Sequence, residues 1–424
     1  MMTPLLPSLL RMLFPGRHSS FIFTGHHTPL PPPREPLNLY IHLPFCRRIC
    51  AFCPYVKQVY DTATAAAYGE ALLRELEGYR AAWGGVEVAS VYFGGGTPSM
   101  TPELIEQTMA WLARSFRPGG EVGVEVHPLD ATPDVLSRLR GSGVTMVSLG
   151  VQTFNNRLLA LLGRGYDAAQ ATDACERVLK AGFDSVDIDL IFALPGQSVD
   201  EAMEDFAVAA RLGAGQISAY PLIQFADTPL AARLESEGVR LPSRRTERRM
   251  LDALVHQARS AGYERSSIWS FNRPGAQRYT TVTRDSFLGI GSGASSRLGD
   301  QFRVNTFSVS DYIAATRGGS PTALSTHMNE GDRMAYWLFW RCYDTAIDTE
   351  RFEALFGERM PRGLRATLHL LRAAGLTRNE GPTIRLTDGG AYLFHLVEKQ
   401  YTHSYLEKLW AACREEAWPD TVRL

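Results

Sequence analysis

The sequence predicts an α/β fold: a partial (β/α)6 barrel of TIM type followed by a mostly helical, winged-helix-like appendage. Three observations predict it. Six strand-like runs alternate with amphipathic helical runs between residues 37 and 223, a glycine triplet follows the second strand-like run, and the pattern changes character near Thr326. Hydrophobic residues make up 45% of 424 positions, enough for a sizeable core.

Residues 1–36 read as an N-terminal extension. Its start, MMTPLLPSLLRMLFPGRHSS, is mildly apolar but broken by Pro4, Pro7 and Pro15, so it lacks the unbroken apolar stretch of a signal peptide. Its end, PLPPPREP, can neither continue a helix nor pair in a central strand and reads as an extended lead-in. Strands are predicted over 37–43, 87–93, 121–127, 144–151, 184–192 and 216–223. Between them, Tyr68, Leu72, Leu76 and Tyr79 share one face at helical spacing, as do Ala171, Ala174, Cys175 and Val178. Six successive units imply a parallel sheet with right-handed crossovers, short of the eight that close a barrel. The barrel and its extension are assigned to 37–325 and the accessory domain to 326–424. In the latter, NEGDRMAYWLFWRCYD predicts one helix, and the segment from Pro361 to Tyr401 reads helix, hairpin, helix.

A formal net charge of −1 and the lack of a long basic run argue against nucleic acid or an anionic membrane as the partner. No stretch of about 18 uninterrupted apolar residues predicts a membrane span. Six cysteines, three of them clustered, do not resemble a disulfide framework; a reducing cytoplasm is expected, where such a cluster binds metal or does chemistry.

That cluster lies in YIHLPFCRRICAFCPY, residues 40–55, as Cys46, Cys50 and Cys53. Zinc sites usually show two separated pairs, or one pair and distant histidines. Here three thiols occupy eight positions with no second pair, and Cys175, Cys342 and Cys413 stand alone in apolar or aromatic surroundings that suit packing. Soft thiolates select zinc, copper or iron–sulfur clusters. Three thiolates would leave one corner of a four-iron cluster open to another ligand. The spacing favours such a cluster over zinc and leaves zinc open. VYFGGGTPSM, residues 91–100, adds a strand-end glycine turn whose backbone can approach a ligand closely.

Together, C-x3-C-x2-C with Phe52 before its last cysteine, GGGTP, SLGVQTFNNRLLALLGR and DIDLIFALPGQ resemble the radical S-adenosylmethionine (SAM) superfamily. Within it they are similar to the family of oxygen-independent coproporphyrinogen III oxidases and their relatives, from about Leu37 to Arg297. The resemblance implies an open radical SAM barrel and a [4Fe-4S] cluster on Cys46, Cys50 and Cys53. It also implies SAM on the cluster's free iron, an electron donor such as flavodoxin or ferredoxin, and a 5′-deoxyadenosyl radical as the reactive species. It places Gly95, Gly96 and Thr97 at the methionine end of SAM, Tyr40 and Phe52 near the cluster and adenine, and Ile223 in the adenine pocket. Glu125 would accept ribose hydroxyls, and Gln152, Arg164 and Asp189 would contact SAM. Without the resemblance, Glu125 reads as a strand-end surface charge and Ile223 as ordinary core. Asp189 stands out on its own, because a carboxylate between Ile188 and Leu190 in a buried strand is costly unless paired. His42 and His127 fall near the same rim, where a structural role suits them equally.

The family's branches differ in places this chain can be compared with. The oxidases carry another cysteine two residues after the triad, where this chain has Tyr55. The heme carriers show His-Asn-x-x-Tyr-Trp before the last barrel glycines, where this chain reads QRYTTVTRDSFLGIGSGASS. A third branch binds two SAM molecules and transfers a methyl or methylene carbon. The expectation is a radical SAM enzyme acting on a tetrapyrrole or natural product. Its alternatives are a heme carrier that keeps the cluster and SAM site, and a zinc-stabilised binding protein.

Overall fold

The computed structural model describes residues 21–278, 280, 283–357 and 359–424. The proline-broken start of the chain, and Tyr279 and Thr281 of the RYTT run, lie outside them. Six parallel strands appear where the alternation puts them: Leu37–Leu43 (β1), Glu87–Gly95 (β2), Arg117–Val126 (β3), Met146–Gln152 (β4), Ser185–Phe192 (β5) and Gln216–Pro221 (β6). They are crossed by helices Thr62–Trp83 (α1), Pro102–Ser115 (α2), Pro133–Gly141 (α3), Ala168–Lys180 (α4) and Val199–Leu212 (α5). The strands lie side by side in chain order, each parallel to the next. The sheet stays open: Leu288–Ile290 adds in parallel beyond β1, and Ser270–Asn272 adds antiparallel beyond β6.

Local chemistry starts and stops these elements. Asp61 caps α1 through the Thr64 N–H at 2.8 Å. Reciprocal capping boxes, Asp167 with Gln170 and Ser198 with Glu201, open α4 and α5. The stripe of Ala171, Ala174, Cys175 and Val178 is buried as its spacing requires. Ile41, Phe93, Val124, Leu149, Ile188 and Ile217, one from each strand, are 0% exposed. Burying each such side chain contributes about 2 kcal/mol.

Beyond the barrel, Arg244–Ser260 (α6) packs against α5. A second, antiparallel sheet orders Ser295–Leu298, Gln301–Asn305, Thr322–His327, Ile22–Thr24 and Thr421–Arg423. The boundary drawn at 325/326 therefore falls inside one of its strands. The segment before Leu37 also supplies a strand, which lies between Thr322–His327 and the strand near the C-terminus. Pairing across hundreds of residues has no local signal. The predicted C-terminal elements are present: Glu330–Tyr343 (α7), Arg362–Ala373 (α8), the hairpin Thr377–Glu380 with Thr383–Leu386, and Asp388–Tyr401 (α9). A π-helical turn, Thr402–Leu406, joins α9 to Glu407–Glu415 (α10). No helix among the described residues is long and apolar enough to cross a membrane.

Candidate functional site

The cysteine loop leaves the C-terminal end of β1 and is tied down at intervals. The Gln58 N–H donates to Pro44 O at 2.8 Å, Tyr60 N–H to Cys46 O at 2.9 Å, and Ala51 N–H to Leu162 O at 3.1 Å. Phe45 anchors its start, fully buried with its ring edge-on to Tyr68 at 5.5 Å. The glycine triplet at the end of β2 passes under the loop. A Cβ on Gly96 would stand 2.6 Å from the Pro44 backbone and 2.9 Å from Cys46 Sγ, and one on Gly94 would stand 2.9 Å from the rings of Tyr40 and Tyr92. Gly95 has φ of 127°, a conformation open to glycine. Close approach of two backbones, and not a flexible turn, is what this triplet provides.

Two side chains aim donors at the sulfurs. Arg164 Nη1 lies 3.1 Å from Cys50 Sγ and Thr97 Oγ1 lies 3.4 Å from Cys46 Sγ. Arg164 is held by Tyr166 Oη at 2.9 Å and by Gly150 O at 2.6 Å. Burial pushes the Cys46 thiol up to about 12, against the hydroxyl of Thr97. Metal binding at this thiol would therefore displace a proton. Among the described residues, no three histidine, cysteine or acidic side chains close around a single ion.

The three cysteines line a cavity of about 520 Å³ at the C-terminal rim of the strands. Phe52, Gly95, Gly96, Thr97, Glu125, Gln152, Arg164, Asp189 and Ile223 share its surface. Tyr40 stands behind it, stacked on Tyr92 at 6.0 Å, with its hydroxyl donating to His42 Nδ1 at 3.1 Å. The His42 Nε2–H donates to Val56 O at 2.9 Å and the side chain is 3% exposed, so it is a structural histidine that braces the cysteine loop. His127 does line the cavity; burial, then Arg164 and Arg47, hold its pKa far below the usual histidine range.

Glu125 is not a surface charge. It accepts from Tyr92 Oη at 2.8 Å and from the Gly95 N–H at 3.3 Å, and burial raises it to about 7. Asp189 accepts from Ser148 Oγ at 2.5 Å, and Asp187, on the same face of β5, accepts from Ser218 and Gln216 at 2.7 and 2.8 Å. Burial pushes both β5 carboxyls upward. Gln152 ends β4 at φ of 73°, an uncommon conformation for a non-glycine residue, at a break in strand register.

The remaining wall was only partly readable from the sequence. Trp269, Trp340, Tyr343, Glu398, Thr402, Leu406 and Trp410 all face the cavity. The last four recur every fourth residue, so α9, the π turn and α10 present one continuous strip. Trp410 stacks on Phe225 at 5.5 Å and meets Tyr55 at 5.6 Å. Trp269 donates to His395 at 3.0 Å, and His395 bonds Glu247 at 2.9 Å, fixing the indole from behind. Of the WLFWRC run, Trp340 reaches the cavity while Trp337 packs in a separate apolar cluster. Asp187 was legible, since strand side chains two apart share a face; Glu398 and Trp410 carried no such signal.

The model of the radical SAM superfamily matches residues 40–209. The heme chaperone HemW of Lactococcus lactis is 32% identical over 288 residues, 66% of this chain and 75% of that protein. The chain belongs to the radical SAM superfamily, in the family of HemW and the coproporphyrinogen III oxidases. As a radical SAM family, it implies a [4Fe-4S] cluster and SAM, and the three thiols with donors on two of them fit such a cluster. HemW of Bacillus subtilis is 28% identical over 365 residues, 84% of this chain and 96% of that protein. The oxygen-independent coproporphyrinogen III oxidase of Escherichia coli is 30% identical over 299 residues, 66% of this chain and 65% of that protein. The solved structure of coproporphyrinogen III oxidase from Escherichia coli superposes with a TM-score of 0.75 at 23% identity, covering 91% of this chain and 97% of that one. This radical SAM fold thus extends through the C-terminal helices.

Proposed function

We propose that the chain is a radical SAM enzyme that reductively cleaves SAM beside a cavity built for a planar substrate, a tetrapyrrole or a natural product of similar shape. The observation that carries this is the shared cavity: three thiols and a polar rim on one wall, aromatic side chains on the other. In this reading Cys46, Cys50 and Cys53 hold the cluster. Arg164 and Thr97 stabilise thiolates by donating to sulfur. Gly95, Gly96 and Thr97 meet the amino-acid end of SAM, with Gln152, Arg164 and Asp189 as further polar contacts. Glu125 accepts hydroxyl donors, Phe52 and Ile223 flank the adenine, and Tyr40 supports the glycines from behind. When bound, the cluster and SAM supply one-electron cleavage and abstraction of a hydrogen atom from carbon. The chain's own contribution is orientation and the exclusion of water by Trp340, Tyr343, Leu406 and Trp410. A flavodoxin or ferredoxin would supply the electron.

A second reading, heme carriage, is favoured by the similarity to HemW. One experiment separates the two. The protein is reconstituted anaerobically with iron and sulfide and given SAM and a strong reductant. 5′-Deoxyadenosine, methionine and S-adenosylhomocysteine are then measured against a Cys46/Cys50/Cys53→Ala control. Formation of 5′-deoxyadenosine only with the triad intact is expected. S-adenosylhomocysteine alongside it would assign a second SAM and methyl transfer. A fully clustered protein that binds heme stoichiometrically and cleaves no SAM would replace the enzyme by the carrier.

A further inference from the structure

A second cavity, of about 530 Å³, lies between the barrel extension and the C-terminal elements. Among the described residues its lining holds six arginines, Arg265, Arg273, Arg278, Arg341, Arg351 and Arg385, against three acids. Among the described contacts, Asp344 is the one acid of the lining paired with these arginines. Asp348 is committed to capping the helix after it, accepting from the N–H groups of Glu350 and Arg351. Glu264 is exposed. Asp344, 8% exposed, is shared by Arg278 and Arg341.

Outside the lining the arginines find partners at mixed distances: Arg341 also donates to Thr283 O, and Arg265 to Ile268 O at 3.1 Å. Arg351 reaches Glu35 and Asp285 only at 3.4 and 3.3 Å, and Arg265 reaches Asp388 at 3.4 Å. Arg385 pairs with Glu380, and Arg273 is held by Tyr263 Oη and Ala210 O. The Nε groups of Arg265, Arg278 and Arg341 are buried with no hydrogen-bond partner among the described residues. Burial pulls Arg265 down to about 10, against the opposing charge of Asp388. Buried donors are costly when nothing binds them. Guanidinium groups in this number suit carboxylate or phosphate, which they grip through paired N–H bonds.

Arg278 lines both cavities. We propose that the second cavity is an oxyanion site, taking a carboxylate or phosphate group, and that Arg278 joins it to the first cavity so that one ligand reaches both. In that arrangement the oxyanion is an acidic side-arm of the substrate, which rests on the substrate class proposed above. A free anion is the other source of the same chemistry.

The test uses the full-length, cluster-loaded protein and three probes: coproporphyrin III, its tetramethyl ester, and inorganic phosphate. Each is titrated by fluorescence or calorimetry into wild type, Arg265→Gln/Arg385→Gln and Arg351→Gln/Arg385→Gln. The second pair involves side chains each 43% exposed and serves if the first does not fold. The result expected is at least about tenfold tighter binding of the acid than of the ester in wild type, collapsing to near equality in the variants. Saturable phosphate binding that the variants lose, with no preference between porphyrins, would keep the oxyanion site, assign a free anion to it and remove the side-arm. No difference between wild type and variants for any probe would overturn the proposal, whether or not SAM is cleaved.

Discussion

Glu125 and Glu398 face the first cavity from opposite sides, and burial raises both to about 7. On the barrel side, Glu125 has both oxygens held, one by Tyr92 and one by the Gly95 N–H. On the roof, Glu398 receives a hydroxyl from Thr402 at 3.2 Å, and its Oε2 is buried without a partner among the described residues. The same contrast runs through their surroundings. The barrel wall is a lattice of short polar contacts at strand ends. The roof is a strip of aromatic and aliphatic side chains on a helix interrupted by a π turn, a feature frequent at functional sites. Among the described residues both walls leave some polar capacity unmet, Asp187 Oδ1 on the barrel side and Glu398 Oε2 on the roof, but the barrel side holds each of its three carboxylates with at least one short hydrogen bond.

The sharpest way to break this comparison is Gly96→Ala. The added methyl would collide with Pro44 and Cys46, where backbone cannot yield. Cluster retention should weaken about tenfold or more, measured as iron per chain after desalting. Full iron content in a folded variant would mean that the wall is softer than its contacts indicate.

Trp410→Ala removes a side chain of the roof. It removes the ring stacked on Phe225 and next to Tyr55, and the half-buried indole should cost about 2–3 kcal/mol in chemical denaturation. Iron content should not change. Coupled loss of iron would show that the two walls form one unit.

Glu398→Gln tests the unmet carboxylate. A folded pKa above the ordinary glutamate value gives stability that is complete at low pH and lost as pH rises through about 7. The neutral amide escapes that loss. The variant should match wild type near pH 4 and exceed it near pH 8 by about 2 kcal/mol, once partial exposure is discounted. Equal stability at both pH values would show that Glu398 ionises without penalty.

The smallest effect belongs to Tyr55→Phe, at the position where the oxidase pattern has a cysteine. Its ring stays against Trp410, so stability should change by less than about 0.5 kcal/mol and iron content should hold. Loss of iron would show that the Tyr55 hydroxyl supports the cysteine loop that carries it.

What the sequence by itself determined is the barrel and the wall it carries. Side-chain alternation and helical stripes are local periodicities, so the six strands and the faces of α1 and α4 could be read within a residue or a few. The cysteine spacing and glycine triplet are local too, because close backbone approach demands particular residue types at adjacent positions. The tertiary structure decided the rest. Only packing shows that Glu125 lines the cavity, that His42 braces a loop, and that Glu398 and Trp410 close the roof from more than 200 residues beyond Glu125. It also assembled six scattered arginines around one space and paired Ile22–Thr24 with Thr421–Arg423. Neither has a signature at any fixed spacing, because burial and charge density are properties of the folded neighbourhood and not of the chain's local order.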